Sequence, residues 1–245
     1  MRILLLNPNT STSVTDLLAG QVGTMAGATA TFVPATARFG AAYIASRAAL
    51  AIAGHAALDA FAEHGRDCDA VFLACFGDPG LLALREVSPV PVVGMLEASC
   101  REAQRVAGRY AIVTGGALWK PMLRECVASL GVGDGLAGIR TIARTGGEIA
   151  KDPEAALSDL AAACRACAEE DRAEAVILGG AALVGLAARL QPHVPVPVLC
   201  SVTSGVKAVV AAAAAPYRRP PAVAADNVGL GHALATLLAP REAVG

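Results

Sequence analysis

The feature that most constrains this chain is that it repeats itself. Ala70-Val71-Phe72-Leu73-Ala74-Cys75 can be laid on Ala175-Val176-Ile177-Leu178-Gly179-Gly180, and Pro91-Val92-Val93-Gly94 on Pro197-Val198-Leu199-Cys200. Arg2 aligns with Arg109 at the head of each half. Short β-branched runs bounded by Gly, Pro or Asn alternate with periodic alanine-rich segments, the pattern of a parallel sheet with crossover helices. The spacing predicts strands over 2–6, 28–34, 70–75, 90–94, 110–114, 139–143, 175–179 and 196–199. A duplicated pair of βαβ lobes is the economical solution. The expected class is α/β, with two pseudo-symmetric lobes, each a four-stranded parallel sheet flanked by helices. Residues 1–96 plus 203–245 are expected to form the N-terminal lobe and 97–202 the C-terminal lobe, with a final helix over 226–238 packing back on the first.

In an open parallel sheet a ligand crevice lies outside the carboxyl ends of the strands, where the winding direction reverses. With the common order 2-1-3-4 in each lobe, that point falls between the first and third strands. It collects Asn7, Pro8, Asn9 and Cys75 in one lobe, and Thr114, Gly115, Gly116 and Gly180 in the other. Lobes facing each other about a pseudo-twofold axis bring both sets to one cleft, so the repeat itself nominates an active site between the lobes.

Composition removes several classes of function. With 245 residues, 55% hydrophobic and 17% charged, the chain can bury one large core or two lobes of ordinary size. A formal net charge of -1 supplies no basic field for nucleic-acid phosphates. The apolar start reaches Asn7-Pro8-Asn9 at once, and the stretch 41–58 is interrupted by Arg47 and His55, so a cytoplasmic protein without a membrane span is expected. Seven cysteines without a secretion signal read as reduced thiols. Cys164 and Cys167 form a C-x-x-C inside an alanine-rich helical pattern and read as two packed cysteines on one helix face. His55, His64, His193 and His232 are scattered, which gives metal ligation no support. Gly133-Asp134-Gly135-Leu136-Ala137-Gly138 fits G-x-G-x-x-G, but it follows a helix and leads into a strand, the reverse of the dinucleotide-binding context.

Two motifs remain. Asn7-Pro8-Asn9-Thr10-Ser11 ends a buried strand and opens a helix with apolar positions Val14, Leu17, Leu18, Val22 and Met25; Thr10 and Ser11 are good N-cap types, and the helix start suits an anionic oxygen. Cys75-Phe76-Gly77-Asp78-Pro79-Gly80 ends another, with Asp78 suited to an N-cap and Pro79 to the first turn of the next helix. That dipole is expected to favour the Cys75 thiolate and make it a base or nucleophile. Thr114-Gly115-Gly116 is the equivalent turn of the second half and offers a hydroxyl and two amides; Asn9, Thr10, Ser11, Phe76, Thr114, Gly115, Gly116, Gly180 and Ala181 are the candidate substrate-binding residues.

These motifs, with Pro91-Val92-Val93-Gly94 followed by Glu97-Ala98 and the Leu178-Gly179 strand end, resemble the Asp/Glu/hydantoin racemase superfamily, nearest its hydantoin and allantoin racemase branch. The resemblance implies a cofactor-independent enzyme with its active site between the lobes and frequent oligomerisation; a small-molecule substrate and a homo-oligomer are expected. It also implies two cysteines facing each other across the substrate, one removing a proton and the other returning one to the opposite face. The segment that would carry the second cysteine reads Gly179-Gly180-Ala181-Ala182-Leu183, so Gly180 stands in its place. Three activities stay open: racemisation or epimerisation with another donor, for which Cys200 is the candidate by sequence; one-faced acid/base work by Cys75 in a decarboxylase, lyase or cis-trans isomerase; and nucleophilic use of Cys75, as in a thiol hydrolase. A ligand sensor that has lost catalysis is the alternative of a different class.

Overall fold

The computed structural model describes residues 1–221 and 227–239. Among these residues eight strands form two sheets: β1 (Arg2–Asn7), β2 (Thr31–Thr36), β3 (Ala70–Leu73) and β4 (Val92–Gly94) in the order β2-β1-β3-β4, and β5 (Tyr110–Gly115), β6 (Leu136–Ile142), β7 (Ala175–Leu178) and β8 (Val198–Cys200) in the order β6-β5-β7-β8. Every pairing is parallel. The helices are α1 (Thr12–Ala26), α2 (Arg47–His64), α3 (Leu81–Val87), α4 (Met95–Val106), α5 (Trp119–Ser129), α6 (Gly146–Lys151), α7 (Glu154–Glu169), α8 (Leu186–Leu190), α9 (Ser201–Ala214) and α10 (His232–Leu238).

The repeat extends to single hydrogen bonds. The Arg2 amide donates to the Asp69 carboxylate at 2.7 Å, and the Arg109 amide to that of Glu174 at 3.1 Å. Gly80 and Gly185, both left-handed, each cap the helix after the third strand of their half. Two expected strands are shifted. Gly27–Thr29 form a short 3-10 turn, so β2 starts later than position 28 and runs on through Pro34, which an edge strand tolerates. At the other edge, β6 begins at Leu136 because a register irregularity beside Tyr110 and Ala111 lets Gly138 pair with Ala111. The expected last helix begins at His232; position 226 lies outside the described residues.

Successive strand residues point to opposite, equally buried faces, as a parallel sheet covered on both sides requires. Leu4, Leu6, Val71 and Leu73 pack in one cluster, and Ala111, Val113, Val176 and Leu178 in another. Ile3, Leu5 and Phe72 of the first sheet share a third cluster with Tyr110, Ile112 and Ile177 of the second, together with residues of α1, α4, α5 and α9. Helix α4 leaves β4 and packs on β7 and β8, while α9 leaves β8 and packs on β3 and β4; the two helices also pack on each other. Gly205 lets α9 come this close, since a Cβ there would lie 2.3 Å from the Phe72 ring. Cys164 and Cys167 are buried on α7 in the cluster behind the second sheet. No helix among the described residues is long and apolar enough to cross a membrane.

Candidate active site

A cavity of about 510 Å³ opens at the carboxyl ends of β1, β3, β5 and β7. Of the residues expected there, Asn9, Ser11, Cys75, Phe76, Thr114, Gly115, Gly180 and Ala181 line it. The two walls touch: a Cβ on Gly179 would lie 2.1 Å from the Phe76 ring, so the residue after Cys75 packs directly on the residue before Gly180.

On the first wall, buried Asn7 anchors the loop after β1. Its Nδ2 donates to Asn9 Oδ1 at 3.0 Å, to Thr15 Oγ1 at 3.0 Å and to the Ser11 carbonyl at 3.1 Å. Asn9 Oδ1 also accepts from the Ser11 amide at 2.9 Å. With its oxygen occupied twice, the Asn9 amide is held in one orientation, and its NH2 has no protein acceptor among the described residues. It is a ready donor for a ligand oxygen. Ser11 precedes α1 without capping it through its side chain; its hydroxyl pairs with that of Ser13 at 2.9 Å.

Thr10 and Gly116 depart from expectation. Neither lines the cavity: the Thr10 amide donates to the Ala41 carbonyl at 3.1 Å, and the Gly116 amide to the Ile142 carbonyl at 3.0 Å, so both are spent on holding loops. Thr114 keeps its hydroxyl without a protein partner among the described residues, 3.8 Å from where a Cβ on Gly180 would stand. Gly180 has φ of 138°, and the Leu183 side chain would be 3.1 Å from that Cβ. Cys200 lies outside the cavity lining. Strand β8 is one strand beyond β7 and at the edge, and Cys200 packs half-buried against the apolar clusters. Its neighbour Ser201 is the residue that reaches the wall, accepting the Gly180 amide on Oγ at 3.1 Å.

The electrostatics at Cys75 reverse the expected sign. Helix α3 starts only at Leu81 and has 7 residues, with Gly80 as its cap, so its dipole does not act at the thiol. Asp78 caps a different helix: its carboxylate accepts the amides of Leu96 at 2.9 Å and Glu97 at 2.8 Å, the first turn of α4. Burial, then the nearby Asp78 and Cys126, push the Cys75 thiol well above its ordinary value. It therefore rests as S–H.

Tyr43, Trp119, Lys151 and Leu183 are among the lining side chains that escaped the sequence reading. Tyr43 comes from the irregular segment between β2 and α2; its hydroxyl donates to the Gly115 carbonyl at 3.4 Å and accepts the Gly146 amide at 3.2 Å. A structureless stretch of that length between regular elements was the available signal. Trp119 opens α5 and presses on Gly77, where a Cβ would lie 2.7 Å from its ring. Lys151 ends α6 and Leu183 follows Gly180; α6 was announced by Thr145-x-x-Glu148, a capping box present in the structure. Among the described residues no group of three or more His, Cys, Asp or Glu could hold a metal ion.

The family model for Asp/Glu/hydantoin racemase matches residues 3–209. The chain belongs to the Asp/Glu/hydantoin racemase family. Within that family it is 33% identical over 208 residues to a hydantoin racemase of Pseudomonas sp. (strain NS671), covering 84% of each chain. It is 35% identical over 202 residues to the hydantoin racemase of Paenarthrobacter aurescens, covering 81% of this chain and 85% of that one. Its fold is that of the allantoin racemase of Pseudomonas fluorescens, with a TM-score of 0.83, 29% identity and coverage of 86% of this chain and 90% of the other.

Proposed function

We propose that this racemase-family enzyme moves a proton at the carbon alpha to a carbonyl in a substituted cyclic ureide of the hydantoin type, without a cofactor, using Cys75 as the acid/base group on one face. The observation that carries this reading is the character of the cavity. Among the described residues, Cys75 is its only lining thiol, and Lys151, itself exposed, is its only charged lining residue. An amino-acid zwitterion or dicarboxylate would bring charges costing several kcal/mol each to desolvate without partners. A ureide ring is neutral, and Val14, Leu17, Phe76 and Trp119 offer its substituent an apolar wall.

Removing the alpha proton moves charge onto the carbonyl oxygen. The free NH2 of Asn9 and the Thr114 hydroxyl are the donors for that oxygen; one such donor contributes roughly a hundredfold or more in kcat. Cys75 starts as a thiol, so abstraction requires prior loss of its proton to solvent, and turnover should rise with alkaline pH. In the reverse sense, the S–H delivers its proton directly to the carbanion.

A second reading is favoured by Gly180 itself, which offers no proton to the opposite face. Cys75 then protonates one face only, as decarboxylation, elimination or isomerisation needs. Incubation of a 5-substituted hydantoin of one hand in deuterated water separates the two. Deuterium uptake with loss of optical rotation marks racemisation; uptake with retained rotation marks a one-faced enzyme. In either case Cys75→Ser should lower exchange by about 10²- to 10⁴-fold. Unchanged exchange in that variant would remove Cys75 from the chemistry. The proposal includes a cytoplasmic homo-oligomer; Leu82 and Leu118, 59% and 63% exposed, supply apolar surface for self-association, and the solution mass tests it.

A further inference from the structure

Asp78 combines three features that a turn residue does not need. It is a non-glycine residue at φ of 47°, its carboxylate is buried, and both carboxylate oxygens are used on another element, the Leu96 and Glu97 amides at the start of α4. The turn itself is closed without that carboxylate: the Cys75 carbonyl accepts the Gly77 amide at 3.0 Å and the Asp78 amide at 3.1 Å. The partner strand is shaped to admit the side chain, because a Cβ on Gly94 would lie 2.3 Å from Asp78 Oδ2. A left-handed non-glycine backbone is strained and persists where its surroundings over-determine it.

The linkage continues to the opposite wall. Ser99 of α4 donates from Oγ to the Met95 carbonyl at 2.6 Å and reaches the Ser201 carbonyl at 3.5 Å, and Ser201 Oγ holds the Gly180 amide at 3.1 Å. A continuous run of polar contacts therefore joins the Cys75 turn to Gly180 through the starts of α4 and α9. The second half has no counterpart of the clamp, since the repeat sets Leu183 opposite Asp78.

We propose that Asp78 is a positioning residue for Cys75: it pins the Cys75–Gly80 turn to the first turn of α4, and thereby fixes where the sulfur stands relative to the Gly180 wall. The inference rests on the reading of Cys75 as the acid/base group. It adds an electrostatic consequence. The groups around Asp78 are Cys75 on its own turn, Glu97 and Cys100 on α4, Arg85 on α3 and Cys126 on α5. Arg85 is engaged with Glu97 at 2.5 Å and Arg101 with Glu97 at 2.8 Å; Arg85 acts on Asp78 only weakly, and the charge of an ionised Asp78 bears on the thiol. The clamp thus holds Cys75 in place and, once Asp78 is ionised, adds to the burial that already disfavours the thiolate.

The test uses Asp78→Asn, which keeps the shape but loses the charge and one acceptor. Alkylation of Cys75 by iodoacetamide, followed peptide by peptide so that the other six cysteines are resolved, should show its pH midpoint lowered by about one unit. Exchange of a 5-substituted hydantoin in deuterated water should show kcat reduced roughly 100-fold, the effect of a misplacement near 1 Å, with KM changed little. Gly94→Ala leaves the charge in place and displaces the carboxylate from the α4 side. It should lower kcat in the same way without lowering the alkylation midpoint, and it serves where Asp78→Asn does not fold. A parent-like kcat in either folded variant, or a loss carried entirely by KM, overturns the positioning role. An unmoved alkylation midpoint in Asp78→Asn overturns the electrostatic part. Cys75→Ser, run alongside, separates the two levels: if it turns over normally, both the acid/base reading and this inference fall, whereas an inactive Cys75→Ser with a parent-like Asp78→Asn removes the positioning role alone.

Discussion

Gly180 stands where a two-cysteine site would be expected to carry its second cysteine, and its backbone would not accept one as a simple exchange of side chains. Its φ of 138° lies where L side chains are strained, and Leu183 stands 3.1 Å from the position a Cβ would take. Gly180→Cys is therefore expected to lower stability by about 1–3 kcal/mol, read as a reduced urea midpoint, and Leu183→Ala in the same chain should recover only the crowding part. A midpoint equal to the parent's would mean that the loop relaxes freely. Gly180, Cys75, Asn9 and Thr114 could be found from sequence because the repeat places strand ends at the switch point, and that rule needs no knowledge of side-chain packing. Tyr43 and Trp119 are not marked by that rule. One sits in an irregular segment and the other on the first turn of a helix, where no periodicity marks a residue as facing a cavity.

At the scale of elements, the same local rules explain what was legible and what misled. The strands and their order follow from β-branched runs and crossover spacing, and the observed sheets have the 2-1-3-4 order twice. Asp78-Pro79 reads locally as the cap of the next helix, but the carboxylate serves a helix 18 residues further on. Neighbour rules cannot see a partner at that separation. The misplacement has a measurable consequence. Burial raises the Asp78 carboxyl to about 7, against the opposing amide bonds from Glu97 and Leu96. The folded protein then retains a proton that the unfolded chain releases near pH 4, so the stability associated with Asp78 is fully present below that value and is lost as pH rises through about 7. Glu97 titrates with the other sign: burial raises it, but Arg85 and Arg101 together bring it below its ordinary value, so its contribution is lost as pH falls. Measuring the parent against Asp78→Asn cancels Glu97 to first order. The unfolding free energy of the parent should fall relative to the variant between about pH 4 and about pH 7, then run parallel to it. A difference independent of pH would show that Asp78 titrates as an ordinary surface carboxylate.

For the whole molecule, the question is whether two pseudo-symmetric sheets make two folding units. Strand membership suggests a division into 1–96 with 203–245 and 97–202, which we hold as a proposal. The packing opposes independence. Phe72 and Leu5 of one sheet and Tyr110 and Ile177 of the other lie in one continuous apolar cluster, with α4 and α9 each starting from one sheet and packing on the other. Phe76 against Gly179 and Tyr43 on the Gly115 carbonyl add contacts at the site. Separating the sheets would expose this shared layer, in which each large side chain contributes about 1.5–3 kcal/mol by burial. The chain should therefore unfold in a single transition despite its length. Trp119, the only tryptophan, belongs to the shared cluster, so its fluorescence reports on the layer between the sheets while far-UV circular dichroism reports on all helices. The two signals should give the same urea midpoint and slope. If fluorescence changes first while the helical signal persists, the lobes part before they unfold, and the cleft is then a hinge between two autonomous units.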